Sequence, residues 1–282
     1  MPATGGRVCV VTDSTSDISP REAGALGVAV VPLHVIFGQR AYLDGVDLIP
    51  SQFYQMLGTA DALPRTEPPH PEEIYNLYMR LAAAGASGIV SLHISSRLSA
   101  TVAAALEAAK HVPSSLPVTV IDSGQVSIGL LPAVRFAAQM AQVGAPVEAI
   151  EAAVGDVISH TRLFFLVDTL EYLQRGGRIG RAQRMLGTLL DAKPILTIQE
   201  GEVAPVETVR PRQRAFGRLE ELVRGLGPVR ELYVGQTSDD LGQHLSADVR
   251  RFYDGPLHRG WIGATVGTHM GMGVGVAAIV PR

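Results

Sequence analysis

Short, continuously apolar segments alternate with amphipathic segments through the first part of the chain. The run at residues 8–12 is apolar and β-branched and stops at a polar turn, which predicts a buried strand. Recurrence of this pattern predicts strands at residues 28–35, 88–92 and 118–121 and helices at residues 74–84, 100–110, 130–142 and 147–160. Strands without polar alternation are typical of a parallel sheet that helices cover on both faces. We therefore expect a three-layer α/β/α domain with a parallel sheet over residues 1–160.

The pattern changes after residue 160. A Gly- and Arg-rich turn occupies residues 176–181, and the strand candidates then alternate less regularly with helix. The pattern predicts strands at residues 195–197, 203–210, 231–236, 257–262 and 273–280, and a helix at residues 212–226. We expect residues 161–282 to form a second, two-layer α+β domain with a mixed sheet. The proline-rich segment at residues 64–71 is predicted to be a stiff loop.

Composition narrows the classes of function. The chain has 282 residues, 46% of them hydrophobic, which is enough for two buried cores. A net charge of -3 without an extended basic run predicts no nucleic-acid partner. The single cysteine excludes an intrachain disulfide and a cysteine-based zinc site. No apolar run approaches the roughly 18 residues that span a bilayer, and the first residues lack a signal-peptide pattern, so we expect a cytoplasmic protein with at most transient membrane contact.

Signatures of common enzymes are absent from the sequence. Both lysines follow alanine, so there is no Gly-Lys-Ser/Thr phosphate loop. The pattern at residues 271–275 begins like a dinucleotide fingerprint, but Val276 occupies the third glycine position. Neither Gly-x-Ser-x-Gly nor His-Glu-x-x-His occurs. Candidate chemistry is therefore confined to polar turns.

The polar turn at residues 12–17 follows the first predicted strand, at the sheet edge where open α/β sheets bind ligands. One interpretation is a cap, in which Asp13 or a neighbouring hydroxyl accepts hydrogen bonds from the amides of a following helix. The other is a phosphate or metal site. We favour the cap, and predict no metal site, because no second acidic cluster with ligand spacing accompanies the turn.

Four other segments contain candidate anion-binding groups. The turn at residues 95–101 offers hydroxyls and free amides before a predicted helix, and its structural alternative is a serine-rich cap. Thr66 lies in the stiff loop, and His269 stands among glycines that permit close approach of a ligand. Arg178 has a guanidinium that either forks onto a carboxylate or ties down its own turn.

Taken together, these segments resemble the DegV family, the fatty-acid-binding subunits of bacterial fatty acid kinase. The resemblance covers nearly the whole chain. It is carried, in family order, by residues 12–17, 32–33, 42–45, 94–99, 121–123, 169–173, 176–179 and 193–196 and by His269 before a glycine-rich strand. Each motif is weak by itself, but the ordered set is specific.

The resemblance implies that one long-chain fatty acid lies in a buried tunnel between the two domains, without a cofactor. The carboxylate would be bound by Ser95 and Ser96 of the polar turn, with Ser96 preferred, and by Thr66 and His269. The resemblance thus assigns the chain a binding role and no catalytic residue.

The resemblance also implies a partner, the catalytic subunit of fatty acid kinase, which would use ATP to form an acyl phosphate. It places Arg178 and Arg210 near the head group and the kinase-docking surface. An alternative function stays open at this point, a metal-dependent phosphotransferase or phosphatase that uses the turn at Asp13.

Two departures from the family pattern bear on ligand choice. Where the family has Thr-Ser-Gln-Pro-Ser, residues 66–70 read Thr-Glu-Pro-Pro-His, which places the Glu67 carboxylate next to the expected anion site. The proline that the family has three residues after the late histidine is replaced by Met272.

Overall fold

The computed structural model describes residues 7–187, 192–211 and 214–281. The strands in these ranges are β1 (Arg7–Asp13), β2 (Val28–Val31), β3 (His34–Phe37), β4 (Arg40–Leu43), β5 (Arg65–Glu67), β6 (Ala86–His93), β7 (Val118–Asp122), β8 (Thr161–Val167), β9 (Lys193–Gln199), β10 (Glu202–Val209), β11 (Glu231–Gln236), β12 (Leu257–Trp261) and β13 (Gly273–Ile279). The helices are α1 (Pro20–Leu26), α2 (Pro50–Thr59), α3 (Pro71–Ala83), α4 (Thr101–Lys110), α5 (Leu131–Gln142), α6 (Val147–His160), α7 (Glu171–Arg175), α8 (Ala215–Arg224), α9 (Asp239–Arg250) and α10 (Ala264–Met270), with 3-10 turns at Ser14–Ser16, Ser127–Gly129 and Gly180–Met185. None of these helices is long and apolar enough to cross a membrane.

The first sheet is parallel and has the strand order β2-β1-β6-β7. Successive residues of a strand face opposite sides, and here both sides are apolar. Val11 and Ile89 pack towards α3 and α4, whereas Val10 and Val90 pack towards α5 and α6. The predicted three-layer α/β/α arrangement is confirmed.

The second sheet is mixed and has the order β10-β9-β8-β13-β11-β12, in which only the β11–β12 pair is parallel. On one face, Leu219 of α8 and Leu245 of α9 cover the sheet. On the other face, Leu163 and Phe165 of β8 join the core that continues into the parallel sheet. The predicted two-layer α+β arrangement with a mixed sheet is confirmed.

The change from one sheet to the other falls between α6 and β8, at residues 160 and 161. This is the boundary that the sequence predicts, but one continuous cluster of core side chains crosses it. The division into domains 1–160 and 161–282 therefore stays a prediction. Residues 1–6, 188–191, 212–213 and 282 lie outside the described residues, and residues 212–213 belong to the predicted helix 212–226.

A third sheet was not predicted. It is antiparallel, has the order β4-β3-β5, and includes half of the strand predicted at residues 28–35. That strand is interrupted at Pro32, which has no N–H to donate to a ladder, and its two halves enter different sheets. Residues 65–67 of the predicted stiff loop form β5, in which Thr66 pairs with Val35.

Helix α10 was also missed, because its sequence is rich in glycine and threonine and shows no apolar stripe. Its first turn is held by Asp44, whose Oδ1 accepts from the Ala264 N–H at 3.0 Å and whose Oδ2 accepts from the Thr265 N–H at 3.2 Å. Gly267 lets the helix lie against Phe53 and Tyr54 of α2, where a Cβ would be 2.5 Å from the Phe53 ring. These contacts bring the end of α10 to strand β5.

Candidate ligand-binding site

An apolar cavity lies between the carboxyl end of the parallel sheet and the inner face of the mixed sheet. Its volume is about 80 Å³. The segments that follow β1, β6 and β7 contribute to it, as expected for the ligand-binding edge of an α/β sheet. Its lining is Thr15, Leu33, Thr66, Pro68, Ile94, Leu98, Ser99, Val126, Ser127, Ile128, Leu163, Phe165, Leu173, Arg178, Ile198, Val203, Ile262, Thr265, Val266, His269, Met270 and Gly275. Residues from before and after the predicted domain boundary thus share one cavity.

Polar groups from three separate segments meet at one part of this cavity, which we call the polar end: Thr66, Arg178 and His269. Thr66 of β5 and His269 of α10 lie 2.8 Å apart, Oγ1 to Nε2, although 203 positions separate them in sequence. Arg178 follows α7 and is close enough for its charge to act on His269. The structure therefore joins Thr66, Arg178 and His269, three of the six predicted site residues.

His269 is electrically neutral at the polar end. Burial, and secondarily the charge of Arg178, lowers the pKa of its imidazole to about 4. A neutral imidazole carries one hydrogen, and the buried Nδ1 atom has no hydrogen-bond partner. Because an unpaired buried N–H is costly, we assign the hydrogen to Nε2, which donates to Thr66 Oγ1. The hydroxyl hydrogen of Thr66 is then available to a ligand.

Gly176 sets the position of the His269 ring. A Cβ atom on Gly176 would overlap His269 Nδ1, closer than side-chain atoms approach one another in proteins. Gly176 has φ of -75°, which suits any residue, so its lack of a side chain serves packing and not backbone conformation. Sequence analysis did not single out Gly176, because nothing in its local pattern indicates a contact with residue 269.

Arg178 supplies positive charge to the polar end. Its Nε donates to the Leu98 carbonyl at 3.1 Å and its Nη1 donates to the Gly176 carbonyl at 2.7 Å. Both partners are neutral, so neither bond neutralises the guanidinium. Arg178 therefore ties down its own turn and also lines the cavity, and its binding to a carboxylate stays a prediction.

The predicted serines Ser95 and Ser96 do not line this cavity. Ser95 is buried, but its hydroxyl donates to the Gly201 carbonyl at 2.8 Å and has no second hydrogen to give to a carboxylate. Ser96 is exposed, and its N–H donates to Asp122 Oδ1 at 3.2 Å. Ser99, the third serine of the same turn, is the one that reaches the cavity. Their assignment as carboxylate ligands stays a prediction that these side-chain positions do not support.

The Glu67 carboxylate is turned away from the polar end. Strand β5 alternates, so Thr66 points inwards while Arg65 and Glu67 point outwards and form an ion pair with each other. The expectation that Glu67 adds negative charge beside the anion site is wrong, because its side chain does not line the cavity. Arg210, at the end of β10, is exposed and lies outside the cavity lining.

Asp13 lies at the centre of a buried hydrogen-bond network, which we call the Asp13 network: Asp13, Thr15, Tyr78, Ser91 and His93. Asp13 Oδ1 accepts from the Thr15 N–H at 3.0 Å and from the Thr15 hydroxyl. Oδ2 accepts from His93 Nδ1 at 2.9 Å and from the N–H of Ile94 at 3.0 Å. The cap interpretation of this turn is confirmed, because Asp13 is the N-cap of the 3-10 turn Ser14–Ser16.

The rest of the Asp13 network is also paired. His93 Nε2 lies 2.7 Å from Ser91 Oγ, and the Tyr78 hydroxyl donates to the same Ser91 oxygen at 2.8 Å. Asp13, Ser91 and His93 have no exposed surface. Within residues 7–187, 192–211 and 214–281, no group of three or more His, Cys, Asp or Glu side chains is arranged to hold a metal ion. Nothing in this geometry favours the phosphotransferase alternative.

The fold and the cavity define a class, α/β proteins with an apolar cavity between a parallel and a mixed sheet. Residues 7–281 match the model of a protein family that is described as uncharacterised proteins of the DegV family. A DegV domain-containing protein of Streptomyces coelicolor is 37% identical over 272 residues, which cover 95% of this chain and 96% of the relative. A DegV domain-containing protein of Deinococcus radiodurans is 38% identical over 278 residues, which cover 96% of this chain and 97% of the relative. The chain belongs to the DegV family.

Solved structures agree with this assignment. A DegV family protein from Thermus thermophilus, described as fatty acid binding, superimposes with a TM-score of 0.89 at 34% identity, covering 97% of this chain and 100% of that one. DegV from Bacillus subtilis, described as a fatty acid binding protein, gives a TM-score of 0.88 at 27% identity, covering 98% and 100%. The predicted family and fold are therefore confirmed.

Proposed function

We propose that this protein binds a long-chain fatty acid in the cavity and presents its carboxyl group to the catalytic subunit of a fatty acid kinase. The observation that carries the binding role is an apolar cavity with a neutral hydrogen-bond pair and a cation at its polar end. Fatty acid binding by the similar proteins from Thermus thermophilus and Bacillus subtilis supports it.

The acyl chain supplies the affinity in this proposal. A sixteen-carbon acid has about 14 methylenes, and burying each contributes about 0.8 kcal/mol, roughly 11 kcal/mol before the costs of association and ordering. The hydrocarbon would lie against Leu163 and Phe165 of β8 and against Val266 of α10. Such side chains form no hydrogen bonds, so they favour binding of the acyl chain and do not discriminate between head groups.

The polar end supplies orientation. A buried carboxylate opposes binding unless protein groups replace its hydration. Thr66 offers the hydroxyl hydrogen that His269 leaves free, and Arg178 offers a positive charge in a site of limited solvent access, where charged hydrogen bonds are stronger than in water. Ser99 is the proposed serine ligand, and its hydroxyl hydrogen can reach a carboxylate when Thr101 donates to it, since the two hydroxyl oxygens lie 2.8 Å apart.

The kinase-dependent step rests on the resemblance to the DegV family and on the charges that the surface exposes. We assign no catalytic residue and no cofactor to this chain, and we propose that transfer of the ATP γ-phosphoryl group to the carboxylate, with release of ADP, occurs on the partner in the cytoplasm. Arg178 and the exposed Arg210 are proposed to orient the kinase, since surface charges steer association.

Head-group recognition is tested with Thr66→Val, which removes the hydroxyl at nearly constant volume. We expect affinity for palmitic acid to fall about tenfold, while affinity for 1-hexadecanol, which has no charge to stabilise, changes less. Affinity is measured by displacement of a fluorescent fatty acid. Thr119→Val, in β7 outside the cavity lining, is the matched control. Equal losses for the acid and the alcohol would remove Thr66 from the carboxylate site.

Kinase presentation is tested by mixing palmitate-loaded protein with ATP and a bacterial fatty acid kinase catalytic subunit, and trapping acyl phosphate with hydroxylamine. Arg210→Ala is expected to keep its lipid and to form acyl phosphate about tenfold more slowly. Arg21→Ala, an exposed arginine of α1, is the control and is expected to behave as the wild type. Acyl phosphate formation by Arg210→Ala at the wild-type rate would exclude Arg210 from docking.

A further inference from the structure

A second cavity lies behind the first. Its volume is about 380 Å³, and it is bounded by the segment after β1, the start of α2 and the end of β12. Ile128, in the 3-10 turn Ser127–Gly129, is the one residue that lines both cavities within the described chain. Its side chain, 2% exposed, therefore borders both cavities.

Ile128 rests on bare backbone of the mixed sheet. A Cβ on Gly235 of β11 would be 3.1 Å from Ile128 Cγ2, and a Cβ on Gly275 of β13 would be 3.2 Å from Ile128 Cδ1. The turn that carries it is also held, because the Ser127 hydroxyl donates to the Asp17 carboxylate. Ser127 has φ of 57°, a left-handed conformation that is uncommon for serine and that packing must maintain.

The carboxyl groups that line the second cavity are already engaged by the protein. Asp17 accepts from the Gly263 N–H at 2.8 Å as well as from Ser127, and Asp44 holds the first turn of α10. Burial raises the pKa of both carboxyl groups, which weakens the negative charge that they present to the cavity. Glu22 pairs with Arg135 at 3.3 Å.

The remaining walls of the second cavity are largely apolar. Ile18, Val30 and Leu131 contribute to them, and Val46 and Ile49 stand at the surface, 65% and 47% exposed. This environment suits the end of a hydrocarbon chain better than it suits a polar ligand.

The two volumes differ in a way that matters for an acyl chain. Sites for drug-sized ligands enclose about 300–1,000 Å³, so the first cavity at about 80 Å³ is small for a long chain, whereas the second at about 380 Å³ falls within the range. The polar end is built from β5, α10 and the turn after α7, whereas Ile128 packs on β11 and β13.

We propose that Ile128 is the partition that limits the length of the bound acyl chain, and that the second cavity accepts the chain end when Ile128 is displaced. This inference rests on the proposed binding of a fatty acid. With the carboxyl group at Thr66, a chain that outgrows the first cavity meets Ile128, and its further methylenes gain apolar contacts only beyond that side chain.

The test compares Ile128→Ala with Ile198→Ala. Ile198 lines the first cavity only, so its truncation removes the same atoms without joining the two spaces. Each protein is incubated with an equimolar series of saturated acids from lauric to lignoceric acid, and the bound acids are identified by native mass spectrometry. Ile128→Val, which removes one methyl group, is measured alongside in case Ile128→Ala does not fold.

In Ile128→Ala, each additional methylene that reaches the second cavity should raise relative affinity about fourfold, so the ratio of bound behenic to palmitic acid should rise tenfold or more. Ile198→Ala should change this ratio less than about threefold, and Ile128→Val should shift it slightly in the same direction as Ile128→Ala. An unchanged ratio in Ile128→Ala and Ile128→Val, or an equal change in Ile198→Ala, overturns the partition and leaves fatty acid binding intact. If the wild type binds none of the acids, both proposals fail.

Discussion

Two polar clusters, one buried and one half-buried, lie near the carboxyl edge of the parallel sheet, and they differ in whether their hydrogen bonds are complete. In the Asp13 network, both carboxylate oxygens and both imidazole nitrogens of His93 have partners. At the polar end, the Thr66 hydroxyl hydrogen has no acceptor when His269 Nε2 donates to Thr66 Oγ1, and the Arg178 guanidinium is bonded only to neutral carbonyls.

This difference separates a structural cluster from a binding cluster. A satisfied buried network fixes the backbone and gains nothing from a ligand, whereas unfilled hydrogen-bond capacity beside an apolar cavity is reduced when a ligand binds. Residue type alone does not distinguish the two, since each contains a histidine and a threonine. The comparison predicts that changes in the Asp13 network affect stability and that changes at the polar end affect affinity.

The largest expected effect is on stability, from Asp13→Ala. The change leaves the His93 imidazole and two backbone N–H groups buried without an acceptor, so we expect a loss of about 3–5 kcal/mol in the free energy of unfolding, measured by urea denaturation. Asp122→Ala is the control, an exposed carboxylate at the end of β7 that also accepts from two amides, with an expected loss of about 1 kcal/mol. Equal stability of the two variants would contradict a structural role for Asp13.

The next effect concerns pH and belongs to the polar end. Because the pKa of His269 is lowered from 6.5 to about 4, the unfolded chain binds a proton at higher pH than the folded protein does. The neutral imidazole of His269 makes its full contribution to the free energy of unfolding above about pH 6.5. As the pH falls towards 4 this contribution is lost, and the loss is about 2 kcal/mol for this half-buried group. Denaturation across this range should show a shallower pH dependence for His269→Gln. Identical slopes would show that His269 titrates normally.

A smaller effect is expected from Gly176→Ala, which pushes on the His269 ring without altering a polar group. We expect palmitate affinity to fall about tenfold, since the Thr66 hydroxyl loses its alignment. Displacement of a fluorescent fatty acid reports the affinity. Gly58→Ala in α2, where a Cβ meets nothing within 4 Å, is the control. Unchanged affinity in Gly176→Ala would mean that the ring position does not matter for binding.

The smallest effect distinguishes two serines of one turn. Ser99→Ala is expected to lower palmitate affinity about threefold, because Ser99 lines the cavity, and Ser96→Ala to leave it unchanged, because Ser96 is exposed. Both are measured in the same displacement experiment. The reverse ranking would support the assignment made from family resemblance and would show that the turn rearranges around a ligand.

Local pattern was sufficient for the elements with a strong period. The apolar runs of β1 and β6 and the helix predicted at residues 147–160 appear where expected, because each buries a complete face or stripe. The strand predicted at residues 28–35 is divided at Pro32. Its two halves enter different sheets, which are defined only by pairing with strands distant in sequence.

The site was less predictable than the fold. Thr66, Arg178 and His269 were recognised through family order, but their contact depends on α10 crossing to β5, which no local signal indicates. The choice among Ser95, Ser96 and Ser99 depends on the direction in which each side chain points. The Ser95 hydroxyl is directed away from the cavity lining because it donates to the Gly201 carbonyl, between β9 and β10. The position of the Glu67 carboxylate was predicted wrongly because residues 65–67 were predicted to be a loop, and a loop gives no alternation of side-chain direction.

The most direct test of the central claim is mass spectrometry of the purified protein, first under native and then under denaturing conditions. The account predicts one fatty acid per chain in the native spectrum, released on denaturation, and its loss or reduced retention in Thr66→Val. Native protein without a lipid, which also takes up none from an added fatty acid mixture, would contradict the account.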